Sequence, residues 1–161
     1  MKTILLVDNI SFCRELFSLA LRRAGYDVST ASDGLEALDI VKSKMPDLII
    51  MDAKMPNMDG LTTLRVLRST PDFRTIHVFM LTTLEDRTHI LQASKIGVQE
   101  YILKSQFALD TMLARIEKYI GPPATRTPST PIIEINESIS AAETPPQTSQ
   151  IEMPEIEADF V

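Results

Sequence analysis

The chain has 161 residues and a single cysteine, Cys13, so no disulfide can close within it. A reducing compartment fits that usage. Long apolar runs are missing too: no stretch approaches the ~20 residues that a membrane-spanning helix needs. Only Thr3 to Val7 separates Lys2 from Asp8, which is too short for the core of a secretion signal. A cytoplasmic protein with no membrane role is expected. Basic charge is also scarce. Net charge is −6, and residues 1–120 hold 15 Lys/Arg against 15 Asp/Glu, whereas residues 121–161 hold Arg126 against seven acids. A nucleic-acid binder needs a basic face, and a neutral body with an acidic tail does not supply one.

What is present, up to Ile120, is an alternation of two patterns. Short apolar runs cover Thr3–Val7, Asp27–Ala31, Leu48–Met51, Ile76–Leu81 and Glu100–Leu103. Between and after them lie segments of helical period. Phe12, Leu16 and Ala20 step by four, with Leu19 and Arg23 filling the turns. Leu35, Leu38 and Val41 share a face, as do Leu61, Leu64 and Leu67. Ile90, Ala93 and Gly97 form a fourth stripe, and Leu109, Met112, Leu113 and Ile116 a fifth. Gly25, Gly60 and Gly97, with Pro46, Pro56 and Pro71, punctuate the boundaries.

Five strands alternating with five helices imply right-handed crossovers and a doubly wound α/β fold with a parallel sheet. The first, third and fourth runs are nearly all apolar, so they should be buried on both faces. The second alternates and the fifth is short, so those two should be edges. The order 2-1-3-4-5 follows, with helices on both faces. It puts a switch point between strands one and three, the crevice where ligands bind in such sheets.

Seven of the ten prolines fall after Gly121, among many Ser and Thr and with no helical stripe. Residues 121–161 therefore read as a disordered acidic tail or linker. Two apolar-acidic segments, Ile132–Ile135 and Ile151–Ile156, have the composition of short docking motifs, though a solvated linker explains them as well.

Four strand ends carry polar groups: Asp8, Asp52, Thr82 and Lys104. Singly, each has an ordinary reading as a cap, a turn residue or a solvated charge. Together they deliver two acids, a hydroxyl and an amine to one sheet edge. A carboxylate can attack phosphorus to form an acyl phosphate. That reaction accumulates negative charge, so it needs a divalent cation and fixed donors around the phosphoryl oxygens. Mg²⁺ suits the role as a hard ion held by one or two carboxylates and a carbonyl. Asp8 and Asp52 supply the acids, and the Lys54 backbone carbonyl is a further candidate oxygen. Lys104 can pair with Asp52 before reaction and with a phosphoryl oxygen after it, and Thr82 offers a hydroxyl to another.

The segments Val7-Asp8-Asn9, Asp52 with Met55-Pro56-Asn57-Met58-Asp59-Gly60, Leu81-Thr82 and Tyr101-Ile102-Leu103-Lys104 resemble, in order and spacing, the receiver domain of two-component response regulators. The resemblance covers about residues 1–120. It implies a flavodoxin-like receiver in which Asp52 accepts a phosphoryl group from the phosphohistidine of a sensor histidine kinase or a phosphotransfer protein. It further implies that Asp8, Asn9, Asp52 and the Lys54 carbonyl organise Mg²⁺, and that Thr82 and Lys104 grip the phosphoryl group. Tyr101 resembles the switch aromatic that follows Thr82. The surface from Asp86 to Tyr119, made of the fourth helix, fifth strand and fifth helix, would carry output to a downstream protein. Such a protein is a phosphoacceptor that assists its own phosphorylation and dephosphorylation rather than an enzyme acting on others, either a monomer or a phosphorylation-dependent dimer.

Two positions depart from the family's usual pattern. Asn9 stands where a second acid is usual, so Mg²⁺ is expected to bind more weakly, with phosphorylation surviving at a higher Mg²⁺ requirement. Ser105 stands where a proline with a cis bond is usual. A non-proline cis bond costs ~2.5–4 kcal/mol, so the Lys104–Ser105 bond is expected to be trans.

Other readings are weaker. A receiver adapted to phosphate-independent binding would explain Asn9 and Ser105, but not the joint retention of Asp52, Thr82 and Lys104. A flavin module of the same strand order would need a Gly/Ser/Thr-rich phosphate loop after the first strand, and the loop here, Asp8-Asn9-Ile10-Ser11, is acidic and glycine-free. No His/Ser/Cys set converges as a hydrolase would require. Cys13 reads as a core or boundary residue. His77, within the fourth strand, has no evident metal partner, and His89 reads as part of an exposed helix face. No helix-turn-helix or second catalytic set is legible, so output is expected through the domain's own surface.

Overall fold

In a computed structural model of the chain, residues 1–83 and 87–124 are described. The tail after Ala124, with both apolar-acidic segments, lies outside the described residues, as does Asp86 at the start of the expected output surface. The strands are β1 (Thr3–Val7), β2 (Asp27–Ala31), β3 (Leu48–Asp52), β4 (His77–Thr82) and β5 (Glu100–Leu103). The helices are α1 (Ser11–Arg23), α2 (Gly34–Lys44), α3 (Gly60–Ser69), α4 (Arg87–Ile96) and α5 (Leu109–Ile120), with one 3-10 turn at Lys104–Gln106. All strands run parallel in the order β2-β1-β3-β4-β5, as the burial of the apolar runs implied. Among the described residues no helix is long and apolar enough to cross a membrane.

The period of two along each strand sends alternate side chains to two separate cores. Leu5, Val7, Ile49, Met51, Val78 and Met80 pack with α2, α3 and Ala93 of α4. Ile4, Leu6, Leu48, Ile50, Phe79 and Leu81 pack with Leu21 of α1 and with Met112, Ile116 and Ile120 of α5. β3 is buried along its whole length and β1 and β4 after their first residue, while the edges β2 and β5 are only partly covered.

Two expected helix stripes turn out differently. On α1, Phe12, Leu16 and Leu19 face solvent, at 71%, 51% and 49% exposure. The helix meets the sheet through Phe17, Leu21 and Ala24, a second apolar stripe at the same period. Leu21, 2% exposed, joins Tyr26 and Val28 in that core. On α2, Leu35 is exposed, while Gly34, Ala37, Leu38 and Val41 are buried. The cause is the close approach of α2 to α3. A Cβ on Gly34 would lie 2.0 Å from Thr63 Oγ1 and 2.8 Å from the Met58 carbonyl oxygen. Only glycine allows that contact, and turning Gly34 inward turns Leu35 out. Gly97 lies past the end of α4 rather than on its stripe, and its N–H donates to the Ala93 carbonyl. Leu109, in the first turn of α5, is 37% exposed.

At the N-terminal edge of the sheet one arginine binds several segments. Arg68 of α3 donates from Nε to the Gly97 carbonyl at 2.7 Å and from Nη1 to the carbonyls of Ile76 and Arg74 at 3.0 and 3.1 Å. Its Nη2 donates to Gln99 Oε1 at 3.1 Å. Gln99 Oε1 also accepts from Val78 N–H at 2.6 Å. Burial holds the Arg68 pKa below the usual arginine value.

Candidate functional site

β1 and β3 are adjacent and in register, with Val7 opposite Met51, so the residues that follow, Asp8 and Asp52, emerge side by side. Both are buried, as is Thr82 at the end of β4. Lys104 follows β5, whose last residue pairs with Thr82. The four strand-end residues thus come to one edge. Lys104 Nζ donates to Asp52 Oδ2 at 2.6 Å and lies 3.3 Å from Asp8 Oδ2, so the ammonium bridges both carboxylates.

The second oxygen of each acid is fixed by its own turn. Asp8 Oδ1 accepts from Ile10 N–H at 2.8 Å, and Asp52 Oδ1 accepts from Lys54 N–H at 3.1 Å. Such bonds orient each carboxylate and satisfy its buried lone pairs. Burial works against the charge on Lys104, but the hydrogen bond and charge of Asp52, with Asp8 added, outweigh it. The Lys104 pKa therefore lies above the ordinary lysine value, and the group is an ammonium at neutral pH.

The loop after Asp52 folds back on the Asp52–Ala53 backbone because of Gly60. A Cβ there would fall 2.4 Å from the Asp52 carbonyl oxygen, and Gly60 N–H donates to the Ala53 carbonyl at 3.0 Å. Asp59 caps α3, its Oδ1 accepting from Thr62 N–H at 2.7 Å. Asn57, at φ 62°, donates to Asp33 Oδ2 at 2.7 Å and so ties this loop to the cap of α2. The same contact and the Glu36 N–H hold the Asp33 carboxyl below the usual carboxylate range. Sequence reasoning marked Gly60 as a turn only; its contact with Asp52 depends on how two loops cross in space. Arg14 was not singled out either, yet its Nη1 donates to the Asp8 carbonyl at 2.6 Å.

The remaining residues divide. Asn9, next to Asp8 in the chain, is exposed. The Thr82 hydroxyl donates to the Thr83 carbonyl at 3.1 Å and not to either carboxylate. Tyr101 is half-buried against the core shared by β4, α3 and α4. Its partner across the sheet is Met80, which puts it on the same face as Thr82. No cis peptide bond occurs among the described residues, so Lys104–Ser105 is trans as expected. Cys13 is half-buried. His77 opens β4 at the opposite edge, near the Tyr119 ring, and His89 is half-buried on α4 rather than exposed.

Among the described residues no three His, Cys, Asp or Glu side chains gather, so the pocket's acids are Asp8 and Asp52 alone. Their Oδ2 atoms nonetheless converge on one cation, the Lys104 ammonium. Two hard carboxylate oxygens aimed at a common cation fit Mg²⁺ better than any softer metal.

Comparison with known proteins agrees with this fold. The family model described as the response regulator receiver domain matches residues 4–117. A response regulator of Mycobacterium avium strain 104, MprA, is 38% identical over 113 residues, covering 70% of this chain and 48% of the relative. The chain thus spans about half the length of the curated relatives it matches. Among solved structures, the Vibrio cholerae chemotaxis protein CheY4 superposes with a TM-score of 0.68 at 30% identity, over 74% of this chain and 98% of that one. A response regulator from Chloroflexus aurantiacus gives 0.69 at 31% identity, over 74% and 97%.

Proposed function

The chain belongs to the response regulator receiver family, a signalling domain of two-component systems, and from that premise we propose that it is a phosphorylation switch with Asp52 as phosphoacceptor. The observation that carries this reading is the convergence of Asp8, Asp52 and Lys104, with the ammonium 2.6 Å from one acid and 3.3 Å from the other. In the reaction, an Asp52 oxygen bonds to phosphorus as the P–N bond of a partner's phosphohistidine breaks, and the imidazole nitrogen keeps the electron pair. The Lys54 N–H holds Asp52 Oδ1 in place while Lys104 neutralises charge at Oδ2. Asp8, Asn9, Asp52 and the Lys54 carbonyl would hold Mg²⁺, which when bound offsets the charge gathering on the phosphoryl oxygens.

Once the phosphoryl group is attached, Lys104 transfers its bond to a phosphoryl oxygen. Thr82 gives up the Thr83 carbonyl and donates its hydroxyl to another. That rotation vacates space on the face that Tyr101 shares, and Tyr101 follows it inward. The output surface is then α4, β5 and α5, and the covalent state acts by shifting the balance between two conformations. The phosphodonor is a sensor histidine kinase or phosphotransfer protein. Ile10, Phe12, Leu16 and Leu19, all about half exposed or more, run from the mouth of the pocket along α1 and offer it an apolar strip. Residues 1–120 constitute the receiver, and the acidic remainder is a linker or tether.

The test is incubation with acetyl phosphate, with and without Mg²⁺, followed by intact mass measurement beside Asp52→Asn. A Mg²⁺-dependent gain of one phosphoryl group, absent in the variant, is the expected result. No gain at any Mg²⁺ concentration would overturn the switch and favour a phosphate-independent adaptor, with Asn9 as its mark.

A further inference from the structure

Lys104 can serve Asp52 only if the backbone beneath it is held, and β5 ends one residue earlier at Leu103. From Lys104 the chain makes a single 3-10 turn and enters α5 at Leu109. Polar bonds do little to fasten this connection. The Phe107 N–H reaches the Lys104 carbonyl only at 3.4 Å. Ser105 and Gln106 are exposed, and Ala108 at the start of α5 has no side-chain oxygen to cap the first amides. What does hold it is a ring. Phe107 is half-buried with its centroid 4.2 Å from that of Phe17 on α1, tilted by 35°. Both rings pack on the core that includes Met112. Phe107 precedes the helix cap and Met112 lies four residues into α5, the two positions of a hydrophobic staple.

We propose that Phe107, seated on Phe17, is a positioning residue for Lys104, fixing the β5–α5 connection so that the ammonium meets Asp52. The inference rests on the phosphoacceptor reading above. Phe107 touches none of the reacting groups. It acts through where Lys104 leaves the sheet, and a lysine has four flexible methylenes, so a loosened anchor lowers the fraction of time its tip is in place. The reaction is then slowed rather than abolished, because small misplacements of a charge-stabilising group are costly but a long side chain can still reach.

The experiment uses the full chain and acetyl phosphate, comparing Phe107→Ala, Phe107→Leu, Phe17→Ala and Lys104→Met, with the Phe107→Ala/Lys104→Met double variant. Folding is checked by circular dichroism. Phe107→Ala is expected to slow phosphorylation on the order of tenfold at saturating Mg²⁺, the size of an aromatic anchor's loss. Phe17→Ala should match it and Phe107→Leu should retain most of the rate. In the Lys104→Met background, Phe107→Ala should cost nothing further. By NMR, the nuclear Overhauser contacts of the Lys104 side-chain methylenes with their neighbours should weaken in Phe107→Ala relative to the parent. A folded Phe107→Ala with the parent rate, or a loss that persists in full without Lys104, would overturn the proposal. Should Phe107→Ala not fold, the same comparisons with Phe107→Leu and Phe17→Ala decide it. If the parent takes no phosphoryl group, the switch reading fails, and the side-chain NMR comparison still decides whether Phe107 positions Lys104.

Discussion

Lys104 sets the charge balance of the pocket, one ammonium against two buried acids. Its pKa is raised in the folded protein, so its contribution to stability is complete below the unfolded value of about 10.4 and is lost as pH climbs through the higher folded value. The stability gap between the parent and Lys104→Met, from urea unfolding, is therefore expected to stay flat from about pH 7 to about pH 9 and to close only above the ordinary lysine range. A gap that closed between neutrality and pH 9 would refute the pairing as the source. This residue and its three companions were legible in the sequence because each stands at a strand end, and a parallel sheet brings all such ends to one edge. Gly60 and Arg14 were not, because their contacts with Asp52 and Asp8 arise where a loop and a helix start fold back, which no periodicity encodes. Thr82 was legible at the same sheet edge, but not its bond to the Thr83 carbonyl.

At the scale of elements, strands were easier to read than helix faces. Each apolar run became a strand to within a residue, and the three central ones had no alternative register to confuse them because they are buried on both faces. α1 shows where the pattern fails. Its sequence carries two apolar stripes of the same period, Phe12/Leu16/Leu19 and Phe17/Leu21/Ala24, and periodicity alone does not say which the sheet will take. The structure separates them by consequence. Leu21→Ala removes a buried side chain and should cost about 2–5 kcal/mol, whereas Phe12→Ala at the surface should change stability by no more than about 0.5 kcal/mol. Urea denaturation of the two variants checks this, and the opposite ranking would mean that α1 presents its other side to the sheet. α2 missed for another reason: Gly34 is drawn against Thr63 by the packing of two helices, which a single helix's pattern cannot foretell.

For the molecule as a whole, the proposed Mg²⁺ site would couple ion binding to folding. A ligand that binds only the native state adds RT ln(1 + [L]/Kd), about 2.7 kcal/mol at a hundredfold excess over Kd. Thermal unfolding should therefore shift upward with Mg²⁺ in the parent and at lower Mg²⁺ in Asn9→Asp, where a second acid is restored, while Asp8→Asn should respond weakly. Superimposable curves for the parent and Asn9→Asp would show that residue 9 takes no part. At the opposite edge, Arg68 joins α3, the start of β4 and the turn before β5 through four hydrogen bonds. The sheet consequently has a clamped end and a working end, and under the proposed switch a displacement at Thr82 would act as the stroke of a lever pivoted at Arg68, delivered where α4 begins and β5 ends.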